Sequence, residues 1–417
     1  MNGRETALQN QELAERSGPL AGITVVSMEQ AVSAPLCTRT LADLGARVIK
    51  IENPAGGDFA RDYDDVVHGM AAHFVWLNRG KESVTLNLKS PRGLEILHRL
   101  LAEADAFVTN LAPGATARLG LDAESLERVH PRLVTCEISG YGSGGPLSEK
   151  RAYDLLAQAE SGACSITGLP GAPAKPGPPM ADACTGLYGA ISILATLHAR
   201  GRTGQGAKIG VSLFDTMTEL MGYALTWSNY TGEDQEPVGM GSPSVAPYGS
   251  YPTSDGQVVV LGTTNDREWR RLATELLDRD DLAADERYRD GPGRVAHRAE
   301  LDRVIGDWCS RHTLAHIQKA ADAAGIGNAR YNTTTEVVAH PHLAARDRWR
   351  DVDSPAGPVR TLLAPPVISG YDPALGPIPA LGEHTGTVLR DLGLDEASLD
   401  SLRAEGAIGP APSGPAG

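Results

Sequence analysis

The first half of the chain alternates short apolar runs with amphipathic segments. Ile23–Met28 and Arg47–Ile51 are apolar runs of strand length, and Pro35 opens a helical pattern between them that ends at Gly45. Runs of the same character follow at 106–110, at 133–138 and from Ala207 onward. A strand, a helix and a second strand at this spacing predict a parallel sheet. The fold class is therefore predicted as α/β.

A change of composition divides the rest of the chain. Residues 233–241 are rich in glycine, proline and acidic residues, which predicts a linker. Beyond it, the dipeptide Asp255-Gly256 precedes the apolar run Gln257–Leu261, a pattern typical of two strands joined by a tight turn. Helices with apolar residues at helical spacing follow from Trp269 to about Ala324. The length of 417 residues fits two domains.

Charge and cysteine content restrict the possible partners and the compartment. The net charge is −14 and the chain has no basic patch, which argues against nucleic acid and against an anionic membrane surface as partners. Five scattered cysteines lack metal-type spacing and indicate a reduced, cytoplasmic protein. No window approaches 18 consecutive apolar residues, so we expect no membrane span. The N-terminal segment lacks the apolar core of a secretory signal.

One carboxylate stands where ligands bind in open α/β sheets. The apolar run 133–138 is followed by a loop with four glycines between Gly140 and Pro146, and then by a helical pattern that contains Leu155 and Leu156. Asp154 is expected in the first turn of that helix, at the carboxyl end of the sheet. Backbone N–H groups and the helix dipole favour an anion there. From this local pattern alone, Asp154 could equally serve only as a helix cap.

Two other kinds of site are disfavoured by the sequence. A nicotinamide-binding Rossmann domain needs G-x-G-x-x-G at the turn after its first strand, and the turn Glu29–Pro35 contains no glycine. His340, His342 and His384 have no acidic or cysteine partners at metal-ligand spacing. We therefore expect these histidines to cap helices or to pack, and we predict no metal site.

Three motifs resemble one enzyme family. The string G-Y-G…G-P…A-Y-D-x-x-x-Q-A-x-S-G, from Gly140 to Gly162, resembles the active-site signature of the class III CoA-transferases. That family includes formyl-CoA transferase, the carnitine CoA-transferases and the α-methylacyl-CoA racemases. The V-x-N-x-x-P-G box from Val108 to Gly114 and the G-x-x-N-x-x-x-W segment from Gly262 to Trp269 are similar to the family's motifs as well.

The resemblance implies an architecture. It is a large Rossmann-like parallel-sheet domain with a smaller α/β domain inserted, and two chains are expected to form an interlocked homodimer. The predicted segments are a flexible leader (1–20), the large domain (21–225), a linker (226–245), the small α/β domain (246–335), a return to the large domain (336–408) and a flexible tail (409–417).

The resemblance also assigns roles to residues. It implies that Asp154 is the catalytic nucleophile and that Gly262 and Asn265 belong to a loop that closes over it. It implies acyl-CoA and a small carboxylic acid as substrates, with no tightly bound cofactor. Asn53 stands where formyl-CoA transferase places an arginine for the nucleotide. The residues expected to contact coenzyme A are Val32, Ser33, Asn53, Leu86, Asn110, Leu111, Arg118 and Arg151.

Within the family, the sequence favours CoA transfer over racemisation. The racemases have a histidine before the aspartate, and this chain has Tyr153, whose phenol, with a reference pKa near 10, is a poor base. Asn265 replaces a further acidic residue, and Asp182, at the position of the racemases' second carboxylate, is expected to be a helix cap in a transferase. A racemase or acyl-CoA isomerase stays the alternative. A non-catalytic acyl-CoA-binding protein, which would not need Asp154, is an alternative of another class.

The substrate prediction rests on sequence motifs in the second half of the chain. VAPYGSYPTSDG, REW and HLAARDRWRDV resemble the branch of the family that uses succinyl-CoA with small C4–C5 dicarboxylates. A second carboxylate on the acceptor needs a cation, and Arg267 or Arg330 is expected to supply it.

Overall fold

The computed structural model describes residues 18–373 and 375–410, which form two compact units. The described part of the first unit comprises residues up to 161, 178–220 and 345–410, and the second unit comprises 162–177 and 221–344. Residues 162–177, predicted in the larger domain, belong to the second unit. The predicted flexible leader before residue 18 and the predicted tail after residue 410 lie outside the described residues.

Strands and helices largely alternate in the first half of the chain, and helices predominate in the second half. The strands are β1 (Thr24–Met28), β2 (Arg47–Glu52), β3 (Lys81–Thr85), β4 (Ala106–Thr109), β5 (Val134–Ser139), β6 (Gly168–Leu169), β7 (Ala172–Pro173), β8 (Lys208–Ser212), β9 (Tyr248–Pro252), β10 (Val258–Gly262), β11 (Gly327–Arg330), β12 (Trp349–Val352) and β13 (Val359–Leu362). The helices are α1 (Ser33–Asp43), α2 (Ala72–Asn78), α3 (Pro91–Glu103), α4 (Ala115–Arg118), α5 (Ala123–Val129), α6 (Asp154–Glu160), α7 (Met180–Thr203), α8 (Leu213–Leu220), α9 (Gly222–Thr231), α10 (Asp266–Arg271), α11 (Asp280–Ala284), α12 (Gly291–Ala296), α13 (Arg298–Cys309), α14 (Leu314–Ala324), α15 (Thr334–Val338), α16 (Pro341–Ala345), α17 (Thr385–Asp391) and α18 (Glu396–Ala404).

A six-stranded sheet organises the first unit. Its strand order is β3-β2-β1-β4-β5-β8, and every neighbouring pair is parallel. The predicted parallel sheet is confirmed, and the first two strands lie within one residue of their predicted positions. This order is that of a doubly wound sheet, in which the direction of winding reverses between β1 and β4. Ligands of such sheets bind at the carboxyl ends of the strands beside that reversal.

Both faces of the large sheet are covered by helices. On one face, Val26 and Phe107 pack in one cluster with Leu97 of α3 and with Leu389 and Leu402 of the C-terminal helices α17 and α18. The other face packs against α1 and α7. The buried residues that these two helices contribute are Ala34, Cys37, Leu41, Ala190 and Ile193. Because both faces are buried, the central strands β1 and β4 are rich in apolar residues, which is why the sequence pattern reveals them, whereas β3 contains a single apolar residue, Val84.

Helix α7 packs closely on one side and is exposed on the other. A Cβ atom at Gly186 would clash with the carbonyl oxygen of Ser33, so the glycine allows α7 and α1 to approach. Leu187, Tyr188 and Ile191, on the other side, are exposed. Within residues 18–373 and 375–410, one helix, α7, is long and apolar enough to cross a membrane, judged by length and composition alone.

The second unit is built on a small antiparallel sheet. Strand β10 pairs with both β9 and β11, and the predicted turn at Asp255-Gly256 connects β9 and β10. A core that includes Trp269, Leu301 and Ile317 joins this sheet to α10, α13 and α14. The predicted linker, 226–245, begins inside α9, so its first residues are helical.

Candidate active site

A cavity of about 770 Å³ lies in the first unit, at the carboxyl end of the large sheet. Loops that follow four parallel strands line it, through Gln30 after β1, Asn110 after β4, Gly140 after β5 and Leu213 after β8. The carboxyl ends of parallel strands meet at one edge of a sheet, so these loops converge although they lie far apart in sequence. The cavity is at the place that the strand pattern predicts for a ligand.

Asp154 is the first residue of α6, and its carboxylate accepts hydrogen bonds from a different helix. Oδ1 accepts from the backbone N–H groups of Ala181, at 3.0 Å, and Asp182, at 3.4 Å. Oδ2 accepts from Nε2 of Gln158, at 2.7 Å. Tyr153 is the N-cap residue of α6, and no side chain caps that helix. Asp154 therefore satisfies free amides at the N-terminus of α7.

The surroundings of Asp154 favour a negative charge that is held in one orientation. The N-terminus of the 24-residue helix α7 carries the positive end of its dipole. Gln158 is fully buried one turn after Asp154 on the same helix, so its amide has little freedom. Asp154 is not among the residues that line the cavity, but Tyr153, which precedes it, and Asp182, whose N–H donates to its carboxylate, both are. A half-buried carboxylate oriented in this way can act as a nucleophile toward a ligand in the cavity.

Asp182 is a cavity carboxyl rather than a helix cap. The N-cap residue of α7 is Pro179, so the expectation that Asp182 caps this helix is wrong. Burial raises the pKa of Asp182 to about 7, and the negative charge of Asp154 raises it as well, while a hydrogen bond with Ser33 acts in the opposite direction. Two carboxylates that lie close together resist ionising together. Asp182 therefore changes charge near neutral pH.

The loop after β1 is tied to the loop after β4. Asn110 Oδ1 accepts from the N–H of Gln30, and Asn110 Nδ2 donates to the carbonyl oxygen of Gln30, both at 2.9 Å. Asn110 Nδ2 also lies 3.3 Å from Oγ of Ser33. Among the residues predicted to contact coenzyme A, the cavity is lined by Ser33, Asn110, Leu111 and Arg151.

The other residues predicted to contact coenzyme A lie outside the cavity lining. Val32 is buried against Leu36 and Leu77, Asn53 is exposed with its side chain in a turn, and Leu86 is 2% exposed in the core, where its backbone bridges to Ile408. Because the side chain of Leu86 is enclosed, only its backbone is left to meet a ligand. The roles of these three residues stay predictions.

Two arginines near the cavity differ in their positions. Arg151 is exposed and lines the cavity three residues before Asp154. Arg118 lies outside the cavity lining, as the last residue of the four-residue helix α4. Its guanidinium nevertheless lies beside the cavity-lining residue Gly114, where a Cβ atom would come within 3.2 Å of Arg118 Nη1. Guanidinium groups bind anionic groups well, and the roles of both arginines toward a ligand stay predictions.

The glycine loop after β5 supplies fewer free amides than its composition suggests. A Cβ atom at Gly140 would clash with that of Ala152, so Gly140 allows the loop to pack next to the segment that leads to Asp154. The N–H of Gly142 donates to Oγ of Ser139 at 3.1 Å, within a turn where Gly142 has a φ of +76°. The N–H of Gly142 is therefore already paired within the protein.

Two polar residues near the cavity were not singled out from the sequence. Gln158 holds Asp154, and the spacing of the two residues, four positions apart on a helix, was a signal for that contact. Glu137 of β5 lines the cavity, and burial followed by repulsion from Glu124 and Asp122 raises its pKa. An isolated acidic residue inside an apolar run gives no comparable signal, because its neighbours come from other elements.

The second unit contains the remaining predicted site residues. Gly262 ends β10 and faces the ring of Tyr248, which leaves no room for a Cβ atom. Asn265 is the N-cap residue of α10, where its side chain accepts from the N–H of Glu268. Arg330 forms an ion pair with Glu336, at 2.6 Å, whereas Arg267 is exposed. The roles of these residues over the nucleophile and the acceptor stay predictions.

Two of the three histidines accept hydrogen bonds from backbone N–H groups. His340 Nδ1 accepts from the N–H of His342 at the start of α16, and Nδ1 of His384 accepts from the N–H of Ser83 in β3. In the described ranges, no group of three or more histidine, cysteine or acidic side chains is arranged to hold a metal ion.

Comparisons with known proteins agree with the motifs. The model of CoA-transferase family III matches residues 20–385. The succinate–glutarate CoA-transferase of Agrobacterium fabrum is 35% identical over 397 residues, covering 91% of this chain and 97% of that protein. The succinyl-CoA–D-citramalate CoA-transferase of Chloroflexus aurantiacus is 32% identical over 397 residues, covering 94% of this chain and 98% of that protein. The crystal structure of a CAIB/BAIF family protein from Brucella suis has a TM-score of 0.78 at 35% identity, covering 90% of this chain and 99% of that one.

Proposed function

The chain belongs to CoA-transferase family III, and from this premise we propose that it moves coenzyme A from a succinyl-CoA-type donor to a small dicarboxylic acid. The observation that carries the proposal is the Asp154 carboxylate. It is held by Gln158 and by the N-terminal amides of α7, beside a cavity at the carboxyl end of the sheet. The same contacts also cap α7, so the acyl-CoA-binding alternative is separated from catalysis by the activity of Asp154→Asn and not by the geometry of the carboxylate.

The proposed reaction consists of two acyl transfers and their reverse. The ionised carboxylate of Asp154 attacks the donor thioester, which forms a mixed anhydride and expels the thiolate of coenzyme A. The thiolate then attacks the aspartyl carbonyl carbon, forming an aspartyl-CoA thioester and releasing the donor acid. The acceptor carboxylate repeats these two steps in the opposite order, and Asp154 is regenerated. Covalent catalysis of this kind divides one difficult exchange into easier steps.

Asp182 would affect the approach of the donor through its charge. Below its pKa of about 7, Asp182 is neutral and the pair of carboxyl groups carries the single negative charge of Asp154. A succinyl group adds a further carboxylate to the site, and a second fixed negative charge beside it would oppose binding. Protonated Asp182 therefore favours the binding of an anionic acyl group. Arg151 at the cavity and Arg118 beside Gly114 would attract the phosphates of coenzyme A.

Support for a dicarboxylic acceptor comes from the relatives. The names of two of them pair succinate or succinyl-CoA with glutarate or D-citramalate, both short dicarboxylic acids. For the distal carboxylate, Arg267 is the better of the two arginines predicted from the sequence, because Arg330 already pairs with Glu336. We propose that Gly262 and Asn265 close over the aspartyl intermediates and exclude water, which would hydrolyse them.

A racemase or acyl-CoA isomerase is supported by one observation. Asp182, with a pKa of about 7 and next to Asp154, is suited to accepting a proton at neutral pH. The tyrosine at position 153 is a poor second base, which favours CoA transfer. Incubation with 2-methylacyl-CoA in deuterated water separates the two activities, because a racemase would exchange the α-proton without an acceptor acid.

A homodimer in the cytoplasm completes the proposal. Leu187, Tyr188 and Ile191 form an exposed apolar face on α7, and Ile191 is 60% exposed. Contiguous apolar surface of this kind is typical of a protein interface, and we propose a second copy of the chain as its partner. All five cysteines are free, which suits a reducing compartment.

The proposed reaction is tested by supplying succinyl-CoA with a panel of acids and separating the CoA esters by chromatography. The panel contains glutarate, citramalate, malate, mesaconate and itaconate, with acetate as a monocarboxylic control. We expect a new dicarboxyl-CoA ester with wild type and none with Asp154→Asn. Transfer to acetate at the same rate as to every dicarboxylate would contradict the dicarboxylic specificity. Equal activity of the variant would contradict the nucleophile.

A further inference from the structure

Next to the loop that follows β1 lie four enclosed charged side chains, which we call the buried charge cluster: Glu29, Lys50, Asp58 and Lys81. Each of them is at most 2% exposed. Lys81 Nζ lies 2.6 Å from Glu29 Oε1, and Lys50 Nζ lies 2.6 Å from Asp58 Oδ2 and 3.6 Å from Glu29 Oε1. Asn78 Oδ1 accepts from both lysines. Two acids and two lysines make the cluster neutral as a whole.

Burying the four charged groups costs desolvation free energy, so the net stabilisation that the cluster provides is small. Burial alone would raise the pKa of Glu29, but Lys81 and Lys50 outweigh burial and lower it, so the carboxylate stays charged. Burial would lower the pKa of Lys50, and Glu29 and Asp58 outweigh it in the same way. Taking paired charges out of water usually cancels most of their attraction. A neutral buried cluster therefore suggests a role in fixing a conformation.

The buried charge cluster contacts the backbone of the loop that follows β1. Oδ1 of Asp58 accepts from the N–H of Ala31 at 3.1 Å and from the N–H of Ala60 at 2.9 Å, while Oδ2 of Asp58 is held by Lys50. Ala31 has a φ of +61°, in the left-handed region that alanine populates roughly tenfold less readily than glycine. Ala31 lines the cavity, as do its neighbours Gln30 and Ser33.

Two further contacts show that the loop is held from both sides. The N–H of Phe59, the residue after Asp58, donates to Oε1 of Gln30 at 3.0 Å. On the other side, Asn110 pairs with both backbone groups of Gln30. Asn110 lies in the loop after β4, and Asp58 lies in the loop after β2. The conformation at Ala31 is thus imposed by neighbouring loops rather than by local preference.

We propose that Asp58, held by Lys50, is a positioning residue that keeps Ala31 in the left-handed conformation and thereby turns Gln30 and Ser33 toward the cavity that takes acyl-CoA. The proposal rests on the proposed function for the identity of the ligand. It implies that the affinity for coenzyme A depends on residues that lie outside the cavity lining. Asp58 and Lys50 are fully buried behind the loop, so they act through its backbone.

Substitutions at Ala31 test the proposal without disturbing the buried charges. Ala31→Val places a β-branched residue where φ is positive, which valine tolerates poorly. We expect the Kd for coenzyme A, measured by calorimetry, to rise about tenfold. Ala31→Gly fits the same conformation, and its Kd should stay within about twofold of wild type. Wild-type affinity of Ala31→Val would overturn the proposal.

Asp58→Asn tests the other end of the contact. We expect the KM for succinyl-CoA to rise about tenfold while kcat changes less than about threefold, because Asp154 is untouched. Adding Ala31→Gly to Asp58→Asn should lower the KM again by at least about threefold, since glycine adopts the left-handed conformation without the hydrogen bond from Asp58. A purely structural role of Asp58 would lower the amount of folded enzyme without changing its KM, and glycine would recover nothing.

Hydrogen exchange provides a readout that needs no ligand. In Asp58→Asn, amides of the 29–34 segment should exchange at least about tenfold faster than in wild type, while those of β5 keep their rates. Unchanged exchange in 29–34 would overturn the positioning role, whatever the enzyme binds. Faster exchange together with a wild type that fails to bind coenzyme A would support the positioning role and contradict the proposed function instead.

Discussion

Replacing Asp182 by asparagine should make the folded protein less sensitive to alkaline pH. Asparagine has the shape of the protonated carboxyl group and cannot ionise. In wild type, burial and the charge of Asp154 raise the pKa of Asp182 from 3.8 to about 7. The folded state therefore binds more protons than the unfolded state between these values, and stability falls as the pH rises through that interval. Asp182→Asn removes this loss.

The size of the effect follows from the two pKa values. A carboxyl group that titrates at 3.8 when unfolded and at about 7 when folded destabilises the protein progressively between those values. Integrated from about pH 5 to about pH 8, this one group costs about 2–3 kcal/mol of unfolding free energy. The free energy of unfolding of Asp182→Asn minus that of wild type should increase by the same amount over this interval. Groups that titrate alike in both proteins cancel in the difference.

The assay is urea unfolding of both proteins at the two pH values, followed by circular dichroism. Asp65→Asn is the matched control, because Asp65 is an exposed carboxylate in the same unit. Its difference from wild type should be the same at both pH values within about 0.5 kcal/mol. If the difference between Asp182→Asn and wild type were also the same at both pH values, the claim that burial and the charge of Asp154 raise the pKa of Asp182 would be refuted.

Three further predictions concern the site and the surface. Gln158→Ala removes the donor to Asp154 Oδ2, so kcat should fall at least about tenfold in steady-state assays with little change in the KM for acyl-CoA. Arg151→Ala should raise the KM for acyl-CoA about tenfold and leave kcat nearly unchanged, if its guanidinium binds a phosphate. Ile191→Asp places a charge on the exposed face of α7 and should convert dimer to monomer in light scattering, without loss of helix content by circular dichroism.

The large sheet could be predicted because its signals are local. The strands β1, β2, β4 and β5 are rich in apolar residues, and helices of ordinary length lie between them, so these elements are visible without their partners, whereas the polar edge strand β3 is not. Asp154 could be placed in the first turn of a helix for the same reason. The turn at Asp255-Gly256 is another local signal, since this dipeptide tolerates the backbone angles of a tight hairpin.

The partners of the site residues could not be predicted, because they come from distant segments. The amides that hold Asp154 belong to Ala181 and Asp182, which are 27 and 28 residues away in sequence. The pKa of Asp182 depends on that approach and on its burial. Leu86 matched a position in a family, but its side chain is enclosed in a core cluster that includes Ile408, near the end of the chain. Only the folded arrangement shows which polar groups face one another.

The central claim is that Asp154 forms a covalent bond with the substrate. Intact-mass spectrometry of wild type after brief incubation with succinyl-CoA tests it most directly, with Asp154→Asn as the control. The account predicts that wild type gains the mass of coenzyme A less one water, that an acceptor dicarboxylate removes this adduct, and that the variant gains nothing. No adduct on wild type, with coenzyme A still bound, or an equal adduct on Asp154→Asn would contradict the account.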